Sequence, residues 1–252
     1  MISTAVWKAK QATRRLVTAW ERAGGRGVAA ELLRLARELV GVPLALAREL
    51  LFDLRRGIRT RGFVRNEDHV AARSVGGDPT FYQPIGLRPL KEALATVPVD
   101  RDRSTLVDLG AGRGRAVLLA AEAGFERVVG VELDERLAAE AEQNVRRWHR
   151  RAPRGVLPEV TVVHGDAATA PVPSGPLVVT MFNPFGATTL DLVLGSLCTA
   201  RRDDPDPAWV VYVNPVHEAG FAAFPRFTAH ARGRDWVVHR LAPAPGTVTA
   251  DS

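Results

Sequence analysis

Five residues within one short span have the types and spacing to hold a nucleoside-bearing ligand. They are Asp108, Gly110, Gly112 and Gly114 in LVDLGAGRGRAVLLA (106–120), and Glu132, 22 residues after Gly110. Three glycines in five residues let the chain reverse sharply and let a ligand press on bare backbone, with Ala111 as the small residue between the first two. An acid at the end of the next strand, at the place of Glu132, can accept from both hydroxyls of a ribose. The spacing also selects among nucleoside ligands. A dinucleotide fingerprint needs its third glycine five residues after the first, and Arg115 stands there. The order here is D-x-G-x-G-x-G. An acid beside the turn suits a ligand ammonium group better than a pyrophosphate.

A second group of polar residues ends the later strands. Asn183-Pro184-Phe185 closes one and Asn214-Pro215-Val216-His217 the next, both at the edge where open α/β sheets bind ligands. His217 has the chemistry of a general base for an oxygen nucleophile, or of a plain surface group at a strand exit. The same choice applies to His164. The six histidines show no metal-ligand spacing with cysteine or acids, so no metal is expected. The single cysteine, Cys198, lies in an apolar helical pattern and reads as packing; it excludes a disulfide framework and fits a reducing compartment.

The elements that must position these residues alternate from Thr105 onward. Strands are predicted at 105–109, 127–132, 159–163, 176–182 and 208–214, with helices at 114–123, 134–150 and 186–200. Asp134 is the expected N-cap of a helix burying Leu137, Ala141, Val145 and Trp148. Gly124 is the expected cap after the preceding helix. Asp166–Gly175 is too short for a crossover helix, so a loop is expected there. A short helix near 218–224 and a hairpin of 227–231 with 236–241 complete the domain. The expected fold is a doubly wound, mostly parallel α/β sheet ending in an antiparallel hairpin, with an N-terminal helical extension.

Domain boundaries follow composition. Residues 1–62 read as a basic helical extension, 63–80 as a linker or lid, 81–241 as the ligand-binding domain and 242–252 as a disordered tail. Within the extension a first helix ends at Gly24-Gly25, and after Pro43 a second turns Leu46, Leu50, Leu51 and Leu54 inward. Residues 1–62 hold 13 Lys/Arg against 5 Asp/Glu, and the remainder 21 against 23. The overall charge of +6 thus belongs to the extension, which weakens any inference from pI to nucleic-acid binding. The amphipathic stretch 28–56 is a surface for self-association or for a membrane face. No segment has the length to span a bilayer, and the N-terminus lacks a signal-peptide core, so a cytoplasmic location is expected.

With these motifs in place, residues 82–241 resemble the class I S-adenosylmethionine-dependent methyltransferases. The resemblance lies in VDLGAGRGRA (107–116), VVGVELD (128–134), HGDAAT (164–169) and VVTMFNPFG (178–186), in family order. It implies a seven-stranded Rossmann-like sheet and S-adenosylmethionine as cofactor. By position it implies that Asp108, Gly110, Ala111, Gly112 and Gly114 hold the amino-acid end, Glu132 the ribose, and Leu133, Asp166 and Ala167 the adenine. Asn183 lies at the cofactor and acceptor site, and Tyr82 and Arg113 are candidates to close over it. Asn183-Pro184-Phe185 resembles the Asn/Asp-Pro-Pro-Tyr/Phe signature of nitrogen methyltransferases, with one proline missing so that the aromatic ring falls a position early. DLRRGIRTRG (53–62) is close to a D-x-R-x-G-x-x-T-R-G stretch of a bacterial subgroup.

The expected activity is methyl transfer by direct displacement to an unidentified acceptor (protein, small molecule or RNA), nitrogen favoured over oxygen. Asn183, Pro184, Phe185, Asn214 and His217 are its candidate catalytic residues. The alternatives are a non-catalytic cofactor-binding interaction protein and a nicotinamide-dependent oxidoreductase, the latter opposed by Arg115.

Overall fold

The computed structural model describes residues 23–26, 28–30, 32, 47–62, 83–152, 157–182, 184–206 and 208–244. The expected linker at 63–80, the tail from 245, and the candidates Tyr82 and Asn183 lie outside the described residues. The chain divides into two compact units, residues 1–52 and 53–252. Residues 53–62, assigned from sequence to the extension, therefore belong to the ligand-binding unit.

In the first unit residues 23–26 and 28–30 are helical, and Gly24 holds φ +55, the left-handed conformation common at helix ends. Of the leucines expected inward, Leu50, Leu51 and Leu54 are 37%, 48% and 60% exposed. Phe52, Asp53 and Ile58 are buried instead. Apolar spacing missed this because Asp53 is buried by virtue of its hydrogen bonds to Thr60 and Arg61.

The second unit is built on a seven-stranded sheet. Its strands are β1 (Thr105–Leu109), β2 (Arg127–Glu132), β3 (Glu159–His164), β4 (Leu177–Phe182), β5 (Ala208–Val213), β6 (Phe227–Arg232) and β7 (Trp236–Leu241). Their spatial order is β3-β2-β1-β4-β5-β7-β6. The first five run parallel, and β7 enters antiparallel between β5 and β6. β1, β4 and β5 are almost wholly buried, which is why they read as near-continuous apolar runs without alternation.

The helices are α1 (Leu87–Leu94), α2 (Arg115–Glu122), α3 (Glu135–Arg151) and α4 (Ala187–Ala200). Asp134 caps α3 by accepting from the Leu137 N–H at 2.9 Å, and α3 buries Leu137, Ala141, Val145 and Trp148. Gly124, at φ +91, follows α2 in the left-handed region that glycine enters without steric cost. α4 packs on one face of the sheet through Leu190, Val193, Leu194 and Leu197, against Val107, Val179, Val210 and Val237. No helix forms between β3 and β4; residues 165–176 cross there as a loop. No helix among the described residues is long and apolar enough to cross a membrane.

Strand order reverses between β1 and β4, which opens a crevice at their carboxyl ends. The glycine turn leaves β1 at that crevice, and the Pro184 segment leaves β4 beside it.

Candidate active site

The turn after β1 is wound by its glycines. Gly110, Gly112 and Gly114 have φ of +79, +54 and +80, a region that other L-residues avoid. Gly110 also faces a close neighbour: a Cβ built on it would lie 2.4 Å from Pro184 Cβ, so the β4 exit seats directly against the turn. The N–H groups of Gly110 and Ala111 both donate to the Val131 carbonyl, each at 2.9 Å, tying the turn to β2. Gly130 makes this approach feasible, because a Cβ there would stand 2.9 Å from Ala111 Cβ and 2.7 Å from Val117 Cγ2. Gly130 was not singled out in the sequence; a glycine inside a strand is the signal of such a close approach.

Glu132 clasps the turn. Its Oε2 accepts from the Gly112 N–H at 2.6 Å and its Oε1 from the Asp134 N–H at 3.0 Å. Burial pushes its carboxyl up from the ordinary value, and these amide donors pull it back. Asp108 lies opposite Thr180 in the β1–β4 register, and Thr180 Oγ1 donates to Asp108 Oδ1 at 2.6 Å. Asp108 is 4% exposed, and burial above all holds its carboxyl up to about 7 despite the Thr180 hydroxyl. Thr180 is a second residue that sequence reading missed, since only the strand register reveals it.

Other candidates take their places around this centre. Leu133 is half-buried, and its carbonyl pairs with His164 Nε2 at 3.1 Å, so His164 braces the β2 exit. Asp166 Oδ1 accepts from the Ala168 N–H at 2.9 Å, shaping the loop that carries Ala167. Asn214 holds φ +52, and its N–H donates to the Asp235 carbonyl at 2.7 Å. The His217 N–H donates to Tyr212 Oη at 3.4 Å. Arg113 pairs with Glu140 and donates to the Arg61 carbonyl, so it braces the turn from outside.

Phe185 departs from expectation. It is 8% exposed and sits in the apolar cluster with Met181, Leu190 and Phe221. Its ring packs into the core. Among the described residues no cluster of three or more His, Cys, Asp or Glu is arranged to hold a metal ion.

Residues 106–201, from β1 through α4, match the family model described as a methyltransferase domain. Over this stretch the chain is similar to methyltransferase domains. The residues present fit S-adenosylmethionine: bare backbone at Gly110, a buried acid at Asp108 that would suit an ammonium, and a carboxylate at Glu132 that would suit a ribose. A search of curated proteins returns no match. Among solved structures the methyltransferase domain is similar to an RNA methyltransferase from Salinibacter ruber in complex with S-adenosyl-L-homocysteine. That likeness has 22% identity over 67% of this chain and 97% of that one, with a TM-score of 0.47. It is also similar to the putative methylase HI0767 from Haemophilus influenzae, at 15% identity over 72% and 99% of the two chains, with a TM-score of 0.46. A third is the PH0226 protein from Pyrococcus horikoshii OT3, at 17% identity over 62% and 89%, with a TM-score of 0.47.

Proposed function

We propose that this methyltransferase acts by direct displacement on an acceptor seated between the ends of β1, β4 and β5, with nitrogen favoured over oxygen. The observation that carries the reading is the clasp of Glu132 on the Gly112 amide next to the buried Asp108. Bound there, the cofactor supplies a methyl group already activated on a sulfonium centre. What remains for the chain is placement and exclusion of water. Asp108 balances the ammonium, directly or through a water. Each Glu132 oxygen already accepts one amide N–H, and a carboxylate has about four acceptor sites, which leaves room for ribose hydroxyls. Leu133 and Asp166–Ala167 flank the adenine.

The acceptor preference rests on the Asn-Pro pairs that end β4 and β5. Asn183 and Asn214 bring amide and carbonyl oxygens that accept from an N–H, while Pro184 against Gly110 narrows the crevice. No aromatic stacking by Phe185 enters this reading. His217 takes part as base only if the acceptor atom is oxygen.

Calorimetric titration with S-adenosylmethionine and S-adenosylhomocysteine tests the cofactor site. Wild type is expected to bind both, and Asp108→Ala and Glu132→Ala each to lose about tenfold or more, the scale of a lost charge-assisted hydrogen bond. Retained affinity in both variants would overturn the residue assignments. Binding without transfer of labelled methyl to amine, protein or RNA acceptors would favour a non-catalytic cofactor-binding protein.

A further inference from the structure

Residues 53–62, DLRRGIRTRG, are polar in sequence, yet Asp53, Ile58 and Thr60 are 2%, 4% and 0% exposed. The segment begins in a helical turn, reverses at Gly57 with φ +65, and runs on as a strap. Asp53 organises it. One carboxylate accepts from the Thr60 N–H at 3.0 Å, from Thr60 Oγ1 at 2.7 Å and from Arg61 Nε at 3.2 Å. Three hydrogen bonds from short range are what let an acid be buried here.

Three consecutive strap residues then hold the glycine turn from behind. Arg59 exchanges two hydrogen bonds with the Asn144 side chain, each 3.0 Å, and the same Asn144 amide donates to the Arg113 carbonyl at 3.0 Å. Thr60 Oγ1 accepts from Arg115 Nε at 2.9 Å. The Arg61 carbonyl accepts from the Arg113 guanidinium. Arg115, 1% exposed, reaches further and donates to the Ile85 carbonyl at 3.0 Å, just before α1. Residues 113 and 115, which bracket Gly114, are thereby fixed to the strap.

We propose that Thr60 and Arg115 are positioning residues for the cofactor: the strap holds the glycine turn in its binding conformation before the cofactor arrives. Three glycines at positive φ give the free turn many conformations, and ordering them on binding would subtract from affinity. The Thr60 hydroxyl is the joint of the device, donating to Asp53 and accepting from Arg115. The inference rests on the S-adenosylmethionine reading above.

The test compares Thr60→Val, which keeps shape and removes the hydroxyl, with Thr60→Ser, which restores it. Both full-length variants are titrated with S-adenosylmethionine by calorimetry at a temperature well below their own Tm. Thr60→Val is expected to bind about tenfold more weakly and Thr60→Ser as wild type, following the loss and return of preorganisation. An unchanged Kd in Thr60→Val with a lowered Tm means the strap only stabilises the fold, and overturns the proposal. If Thr60→Val does not fold, Asn144→Ala, which cuts the neighbouring grip, decides by the same two readouts. Wild type that fails to bind S-adenosylmethionine overturns the cofactor reading, and this inference with it.

Discussion

The buried carboxyl of Asp108, the proposed partner of the cofactor's ammonium group, also bears on stability. Its folded value of about 7 lies above the unfolded carboxylate value of 3.8, so the native state holds its proton more tightly than the unfolded chain does. Its contribution to stability is therefore greatest below the unfolded value and falls as pH rises through about 7. Cofactor affinity runs the other way, because an ammonium group prefers the ionised acid. The expected outcome is that Asp108→Asn melts higher than wild type at pH 8 while binding S-adenosylmethionine more weakly. Calorimetric melts between pH 4 and 8 check the first, and titration at each pH the second. At the same scale, Phe185 lies in the core cluster with Met181 and Leu190.

Among the elements, α3 shows the closest agreement between pattern and structure. Its inward stripe at Leu137, Ala141, Val145 and Trp148 and its cap at Asp134 follow from helical spacing and from the need to satisfy the first N–H groups. Asp134→Ala removes that cap and also alters the segment whose amide binds Glu132. It is expected to cost about 1 kcal/mol of stability, read by urea unfolding. The strap reads differently. Its run of arginines around a single threonine, with no apolar period, looks like a linker, and the element emerges only when Asn144 and Arg115 are brought beside it.

At the scale of the whole molecule, the boundary between the compact units falls after Phe52, ahead of the strap. A chain shortened to residues 63–252 loses Arg59 and Thr60 and leaves the buried Asn144 and Arg115 without those partners. Removing one side of a buried charged network costs about 3–5 kcal/mol. Truncation before residue 63 is therefore expected to lower Tm by many degrees more than truncation before residue 47, measured by scanning calorimetry. That contrast also separates the extension from the domain more sharply than the basic charge of residues 1–62 does.

The order of strands and helices from Thr105 to Leu241 was legible in the sequence because each element advertises itself locally. Continuous apolar runs mark buried parallel strands, a 3.6-residue stripe marks α3, and three glycines after an acid mark the turn. Glu132 was legible for the same reason, since its distance from Gly110 is set by one helix and one strand. Other partnerships only the tertiary structure decided. Asp108 meets Thr180, 72 residues away, through strand register, and Arg115 meets Thr60, 55 residues away, through the strap. Such pairs leave no period in the chain: their hydrogen bonds are satisfied across elements, and which polar groups meet depends on how those elements pack.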